Sequence, residues 1–429
     1  MNRNDPLGGE AVAAVPRRFF ALPGALRERE FRRFWAGETV SLFGDQITLI
    51  ALPLVGVLAL DASASQMGYL TAAEIAPALF FSLHAGAWID RRGRRRQTMI
   101  FTALGRAALL ATIPVLYWLD ALTLTQLYVV SFLIGTLSVI FFVSYTTLFV
   151  SLVPRERYLE ANSLLNGSRA FSFVAGPSIG GLLVQAFSAP GALIADAISF
   201  LVSAFTLSSI KPEEPPSEKA ERGHVKAGMR YLWHSPIIRA SLLATATINF
   251  FNFVFWALFM LYAIRVLDVG PGLLGLVLGA ASVGGLLGSI LTGRISRRIG
   301  IGPAFVLGCV VFPAPLVLVP LARGPQLVVL GCLFAAEFLS GFGVMILDIT
   351  GGSIKAALVP GRLRARVAGA YMVVNYGVRP IGALAGGALG AWIGLRPTLW
   401  IASVGAILGA LWLLPSPVPG LRELPEADQ

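Results

Sequence analysis

The chain has 429 residues, of which 56% are hydrophobic and 13% charged, with a formal net charge of +11. Soluble domains carry about 25% charged residues, so a water-soluble globule could not hide this much apolar surface, and an integral membrane protein follows. The basic excess sits in short stretches between apolar runs and forms no continuous face. Nucleic acid is therefore excluded as a partner, and the charge reads as topology and contact with anionic lipid.

Residues 1–34 form a polar amino-terminal segment broken by Pro16 and Pro23. It has no convincing apolar h-region, so no cleavage is expected. Apolar runs of roughly 20 residues then predict spans over 35–58, 67–89, 99–119, 124–150, 163–187 and 190–210. After a polar stretch, 211–239, come 241–266, 271–291, 303–321, 325–349, 367–393 and 397–414. The second part of that polar stretch, Val225 to His234, has the pattern of an amphipathic helix lying on the membrane. The expected organisation is two six-helix bundles, 35–210 and 240–415, joined by a cytoplasmic central loop, 211–239, and followed by a cytoplasmic tail, 416–429.

Between the second and third spans the chain reads Gly86-Ala-Trp-Ile-Asp90-Arg91-Arg92-Gly93-Arg94-Arg95-Arg96. Five arginines are costly in hydrocarbon, so this stretch is expected in a tight aqueous loop on the cytoplasmic side. A degenerate copy follows at an offset of 207: Gly293, Arg298 and Gly300 align with Gly86, Arg91 and Gly93. Leu152-Val153-Pro154 and Leu358-Val359-Pro360 lie 206 apart, as do Gly176 and Gly382, and Gly180-Gly181 and Gly386-Gly387. A near-constant offset argues for a duplicated unit. Six spans per unit give both copies the same orientation, which describes parallel repeats about an axis along the membrane normal. The fold class is thus an all-α membrane protein of twelve transmembrane helices in two parallel six-helix repeats.

With the amino terminus inside, 28 of the 34 Lys and Arg fall in cytoplasmic segments and only Arg265, Arg323 and Arg396 outside. That bias places both termini in the cytoplasm of a multi-pass protein of the inner (plasma) membrane. The remaining three, Arg106, Arg169 and Arg379, lie within spans.

Gly86-x-x-x-Asp90-Arg91-x-Gly93-Arg94-Arg95, the twelve spans and the long central loop together resemble the major facilitator superfamily. In the fifth span, Gly176-Pro177-x-x-Gly180-Gly181 resembles the motif of its exporters and antiporters, with Ser172 in place of the motif's first glycine. Gly44-Asp45 and the Leu-Val-Pro loops are similar to the bacterial drug and siderophore efflux branch, of enterobactin and macrolide type. The resemblance implies that Asp90 latches a gate, facing the amino-terminal end of the eleventh helix. A carboxylate there gains about 0.3–1 kcal/mol from the helix dipole, with Arg91, Arg94 and Arg95 adding ion pairs or lipid contacts. The alternative is a loop that only sets topology. The Gly-Pro motif reads both as close helix packing and as a bend that hinders leak. One departure concerns the fourth span, where Ser131 stands at the position many proton-coupled members fill with arginine.

An acid inside a span costs several kcal/mol unless it faces water or a partner. Asp45, Glu74, Asp196, Glu337 and Asp348 are such acids. The resemblance places the first, fourth, seventh and tenth helices around the central cavity, which favours Asp45 and Glu337 as proton-coupling candidates. The competing reading pairs them with Arg106, Arg169 or Arg379. Asp348 lies near a span end, where solvent suffices, and Asp196 reads as a local cap. In the seventh span Asn249, Asn252 and Trp256 share one face at i, i+3, i+7, and with Tyr145 of the fourth they are candidates for the substrate cavity. Alternatively the asparagines bond a neighbouring helix and the surrounding phenylalanines face lipid.

Cys309, Cys332 and the three histidines give no metal-ligand spacing, and no phosphate-binding loop or nucleophile motif occurs. Neither cofactor nor metal is expected, and the chain is not read as an enzyme. The reading is a secondary active transporter, a proton-coupled exporter of a small amphipathic molecule such as a drug or siderophore, working by alternating access. Its partners are that small-molecule substrate, protons and membrane lipids, and a monomer is expected. Alternatives are a lysophospholipid flippase and, in another class, a non-transporting membrane sensor or scaffold. With Cys309 and Cys332 replaced, cysteines introduced at positions 3, 220 and 425 should resist impermeant thiol reagents in intact cells. Labelling at 220 would overturn the topology.

Overall fold

The computed structural model describes residues 24–212 and 225–424, and within them the side chains of residues 82–88, 90–92, 147, 225–227, 362 and 365 lie outside the description. No strand occurs among the described residues. In hydrocarbon each backbone N–H and C=O must be satisfied within its own segment, which turns every apolar run into a helix. The first half comprises α1 (Arg29–Leu54, carried on to Ala59 by a π turn), α2 (Ala64–Arg92), α3 (Arg95–Trp118), α4 (Leu124–Leu148), α5 (Tyr158–Phe187) and α6 (Ala189–Ser208). A short α7 (Val225–His234) follows. The second half comprises α8 (Pro236–Arg265), α9 (Pro271–Ile299), α10 (Ile301–Val311), α11 (Leu318–Leu321), α12 (Gln326–Leu358), α13 (Arg364–Ile393) and α14 (Leu395–Leu408). Ten segments are long and apolar enough to cross a membrane, with α10 and α11 counted as one. The long helices α2 and α13 complete twelve.

Several helices overrun the predicted spans. α12 reaches Leu358 rather than 349, and α8 starts at Pro236 rather than 241, because a helix can continue into water with polar residues that the hydropathy of a span excludes. The ninth span is broken between α10 and α11, where Pro313 and Pro315 remove backbone donors and a 3-10 turn, Ala314–Val317, intervenes. The arginine-rich stretch is also not a loop of the expected length. α2 runs through Asp90 to Arg92, so only Gly93 and Arg94 separate it from α3. Gly93 adopts φ 61° and its N–H donates to Ile89 O at 3.1 Å, a glycine cap. Arg96 then reaches across to Leu207 O (2.8 Å) and Ser208 O, and Arg33 to Ser209 O (2.6 Å), so two arginines close the carboxyl end of α6. α7 forms over the expected residues and packs part of its apolar side into the protein, while Trp233 stays exposed. Leu232 is fully buried beside Ile238, Leu242, Val359 and Val367, and Tyr231 Oη donates to Leu358 O at 2.8 Å.

Backbone geometry displays the duplication directly. Eight described residues have positive φ: Asp61, Gly93, Asp120, Ser188, Asp268, Gly300, Gly324 and Gly394. They fall into four pairs, Asp61 with Asp268, Gly93 with Gly300, Asp120 with Gly324 and Ser188 with Gly394, at separations of 207, 207, 204 and 206. Left-handed backbone is costly for residues other than glycine, so its recurrence at the same four turns marks two copies of one six-helix unit.

The halves join at the face away from the chain ends. One apolar cluster there includes Leu54, Val55, Met67 and Leu70 of the first half and Phe259, Tyr262, Leu274 and Val277 of the second. Nearer the chain ends the cores are separate, one holding Phe31, Phe34 and Phe141, another Phe305, Leu347 and Leu413. At the joined face helix backbones touch. A Cβ on Gly387 would stand 2.9 Å from Gly68 Cα, and one on Gly181 2.9 Å from Gly275 Cα. These contacts are symmetry mates, since Gly387 follows Gly181 by 206 residues and Gly275 follows Gly68 by 207. Arg265 adds an ion pair to Asp61 across the halves. A side chain at Gly387 must push α13 off α2, and overpacking of this kind costs roughly 1–3 kcal/mol, which shifts a two-state equilibrium about 5- to 150-fold. In Gly387→Val, spin labels at positions 61 and 265 should therefore lie farther apart than in the parent. An unchanged distance distribution would show that the glycine contact does not hold this face shut.

Candidate functional site

In the first half the charged side chains of several helices converge at mid-membrane depth. Asp45, near the middle of α1, lies 3.7 Å from Arg106 of α3; the arginine side chain is 3% exposed and the aspartate 45%. The guanidinium is sandwiched between the rings of Phe141 (4.4 Å) and Phe200 (4.1 Å), contacts worth about 2 kcal/mol when desolvated. Its Nε and Nη2 have no hydrogen-bond partner among the described residues. Arg106 is thus fixed by ring faces and holds donors in reserve. Glu38, buried, lies seven residues before Asp45 and hence on the same face of α1. An exposed carboxylate at this depth is sustainable only toward a polar space.

Asp196 belongs to the same neighbourhood. It is fully buried in the middle of α6, accepting hydrogen bonds from Thr48 Oγ1 of α1 and Ser199 Oγ (2.8 Å for the latter). It is therefore not the local cap expected, since it ties α6 to α1 rather than closing a helix end. Gly44 makes this possible, because a Cβ there would collide with the Asp196 carboxylate and the Ser199 hydroxyl.

In the second half a cavity of about 470 Å³ runs along α13 between α8 and α12. Tyr371, Asn375 and Arg379 line it at spacings of four, one face of α13. Asn249 knits the wall together. Its Nδ2 donates to Asn375 Oδ1 (3.1 Å) and to Thr245 O (2.9 Å), and its Oδ1 accepts from Arg379 Nε (3.0 Å). Thr245 Oγ1 and Tyr371 Oη share a further bond of 2.7 Å. Arg379 lies over the Tyr376 ring at 4.1 Å and Lys355 over the Tyr371 ring at 4.0 Å.

The sequence-derived candidates scatter across this arrangement. Asn249 lines the cavity, whereas Asn252 and Trp256 are absent from its lining. Asn252 Oδ1 is buried without a partner among the described residues, and Trp256 packs edge-on to Phe259 at 5.5 Å. Tyr145 stacks on Phe34 at 5.5 Å against the core of the first half. Glu337 is 2% exposed beside the buried Leu333 and Ala336, with Oε1 unpartnered among the described residues, and it too is absent from the cavity lining. Asp45 and Glu337 thus belong to separate surroundings. Gly176 and Gly180 fit against Gln46 and Ile47 of α1 while Gly181 meets α9, so the Gly-Pro motif is a three-helix packing point. Asp90 and Arg91 fall in the last turn of α2 and Gly86 earlier in that helix; the side chains of all three lie outside the described residues, while Arg94 is exposed and Arg95 buried. Sequence reasoning did not single out Glu38, Lys355, Tyr371 or Asn375. The seven-residue spacing of Glu38 and Asp45, and the four-residue ladder on α13, were the available signals.

A sequence profile described as Major Facilitator Superfamily matches residues 34–376. The chain is 27% identical over 414 residues to the multidrug efflux pump Tap of Mycolicibacterium fortuitum, covering 90% of this chain and 95% of that one. It is 25% identical over 349 residues to a multi-drug resistance efflux pump PmrA homolog of Lactococcus lactis subsp. lactis, covering 78% and 82%. Among solved structures, a bacterial homologue of the iron transporter ferroportin in an inward-facing state superposes with TM-score 0.74 at 17% identity, covering 90% and 98%. The nucleoside transporter NupG gives TM-score 0.70 at 11% identity, covering 90% and 98%. The duplicated six-helix unit, the paired glycine contacts and the profile spanning most of the sequence agree: this chain belongs to the Major Facilitator Superfamily and is a multi-pass membrane transporter rather than an enzyme.

Proposed function

We propose that this chain is a proton-driven exporter of small amphipathic molecules of the drug class, working by alternating access in the inner membrane with both termini cytoplasmic. The observation that carries this reading is the half-exposed carboxylate of Asp45 at mid-membrane, 3.7 Å from the buried Arg106. A carboxyl group that faces each side in turn, next to a cation that stabilises its ionised form, can take up a proton on one side and release it on the other. Ring faces rather than hydrogen bonds hold Arg106, so its spare donors remain available to Asp45 or to Glu38 as the proton comes and goes. The drug class is supported by the efflux pumps to which the chain is similar. The closed face opposite the chain ends, with separate cores nearer them, fits a state open toward the cytoplasm. In this reading the monomer, with bundles 35–210 and 240–415, is the transporting unit, Asp90 latches the cytoplasmic side in the opposite state, and Glu337 is a second, internal proton site.

The lysophospholipid alternative draws on one observation. An apolar groove of about 740 Å³ opens between α5, α9 and α12, lined by Phe171, Phe173, Leu286 and Met345.

Ethidium uptake into inverted vesicles under an imposed pH gradient tests the coupling. Asp45→Asn cannot release a proton, so gradient-driven uptake should fall at least tenfold, a barrier change of about 1.4 kcal/mol or more, while gradient-free exchange persists. Glu337→Gln should fail in the same way if it shares the relay. Wild-type gradient-driven rates in both single mutants and in the double mutant would remove the assignment.

A further inference from the structure

The cavity beside α13 is built for a negative charge. Its lining carries three cations, Lys355, Arg364 and Arg379, against a single carboxylate, Asp348. Arg364 is occupied with backbone carbonyls, Val359 O at 3.3 Å and Ala356 O at 3.2 Å. Lys355 and Arg379 form no ion pair among the described residues; each rests on a tyrosine ring instead. Asp348 acts on both cations from beyond ion-pair distance, so two cations share one carboxylate, and Arg379 sits midway along α13, the depth at which excess positive charge is hardest to sustain in a membrane. Asn249 engages Nε, which fixes the guanidinium plane, and Tyr376 is a further side-chain hydrogen-bond partner, so the Nη edge keeps donor capacity beyond these two contacts. That fork matches the geometry of two oxygens on one carboxylate or phosphate. Tyr371 lies two turns before Arg379 on α13, roughly 12 Å along the helix and nearer the chain-end face, and Lys355 of α12 stacks on its ring. Met372, Asn375 and Tyr376 line the wall between them.

We propose that this cavity binds the anionic oxygen headgroup of an amphipathic solute, a carboxylate or phosphate clamped by Arg379, with Lys355 drawing it in from the chain-end mouth. The inference deepens the exporter reading and rests on it for the fate of the solute, but the site itself is a matter of equilibrium binding. The same chemistry could come from a free anionic amphiphile or from the phosphate of a membrane phospholipid.

The full-length protein in nanodiscs of neutral lipid, with no pH gradient, supplies the test. The probe is carboxyfluorescein, followed by anisotropy, with ethidium as a cationic control and tightly bound phospholipid per chain counted by native mass spectrometry. Losing a charged hydrogen-bonding partner should weaken carboxyfluorescein binding roughly tenfold or more in Arg379→Gln and in Lys355→Gln, with ethidium unaffected. Arg379→Lys should fall between, because it keeps the charge and loses the fork. If a phospholipid is the natural occupant, retained lipid should drop in the same variants and added phosphatidylglycerol should displace the dye from the parent. Lys355→Gln leaves the Asn249–Arg379 bond untouched, so it remains informative if Arg379→Gln misfolds. Equal dye binding and equal retained lipid in the parent and Lys355→Gln, or no binding of either, would overturn the site. That failure would leave proton-driven export standing, and failure of the Asp45 variants would leave this site standing.

Discussion

Where α2 meets α13 and α5 meets α9, backbone rests on backbone. Apolar side chains gain nothing by leaving lipid for another apolar surface, so helices in a membrane are held by close packing, and small residues at the contact are what permit it. Gly68 against Gly387 and Gly181 against Gly275 bring the halves together at one face. This contact fixes the remaining geometry. It lets one apolar cluster extend across both halves there, and it leaves the opposite ends with separate cores and room for a polar cavity. The two contacts are copies of one, which is the symmetry that the proposed alternating access would use.

The charged groups follow from that division. Two of the three arginines within spans, one in each half, are stabilised by aromatic faces: Arg106 by Phe141 and Phe200, Arg379 by Tyr376 and Phe253. Their polar partners differ. Arg106 has a carboxylate, and Arg379 has the amide oxygen of Asn249. The duplication sharpens the contrast, since Asp45 corresponds at an offset of 207 to Asn252, a neutral residue. The two copies have diverged in charge while keeping their turns: one half places a carboxylate 3.7 Å from its arginine, and the other holds Arg379 by a neutral amide with Asp348 farther off in the same cavity lining.

The duplication was legible in the sequence because glycines and charged turns recur at a fixed spacing, and the same residues carry the contacts and the positive-φ turns. Span number was legible because hydrocarbon thickness sets run length. Span ends were not. Lys355 was counted with the loops, although α12 continues through it and presents it to a cavity. The sequence named Arg106 as one of three possible partners for Asp45, but the rings that hold it come from α4 and α6 and no local pattern announces them. The stripe Asn249, Asn252, Trp256 was correctly seen to share a face. A helical face does not say which of its residues reach a cavity, and only Asn249 does. Glu337 marks the same boundary. Its place in a span is plain from sequence, whereas its burial among Leu333 and Ala336 depends on how α12 is rotated within the second half.

The ion pair between Asp61 and Arg265 shows how far symmetry carries and where it stops. Asp61 and Asp268 occupy equivalent turns with the same left-handed backbone, but Arg265 corresponds to Leu58, so only one of the two equivalent sites forms a pair. Asp61 is almost fully exposed, and exposed pairs contribute about 0–1 kcal/mol. A bond this weak cannot by itself hold two bundles together against thermal motion, so closure rests on the glycine contacts and the shared apolar cluster beneath them. The pair is better suited to register: it favours one alignment of the α1–α2 turn against the end of α8, and it dissolves at little expense when the halves part. That distribution of energy is the one the proposed alternating access requires: a close-packed contact that holds this face together and a weak, directional pair that favours one alignment within it.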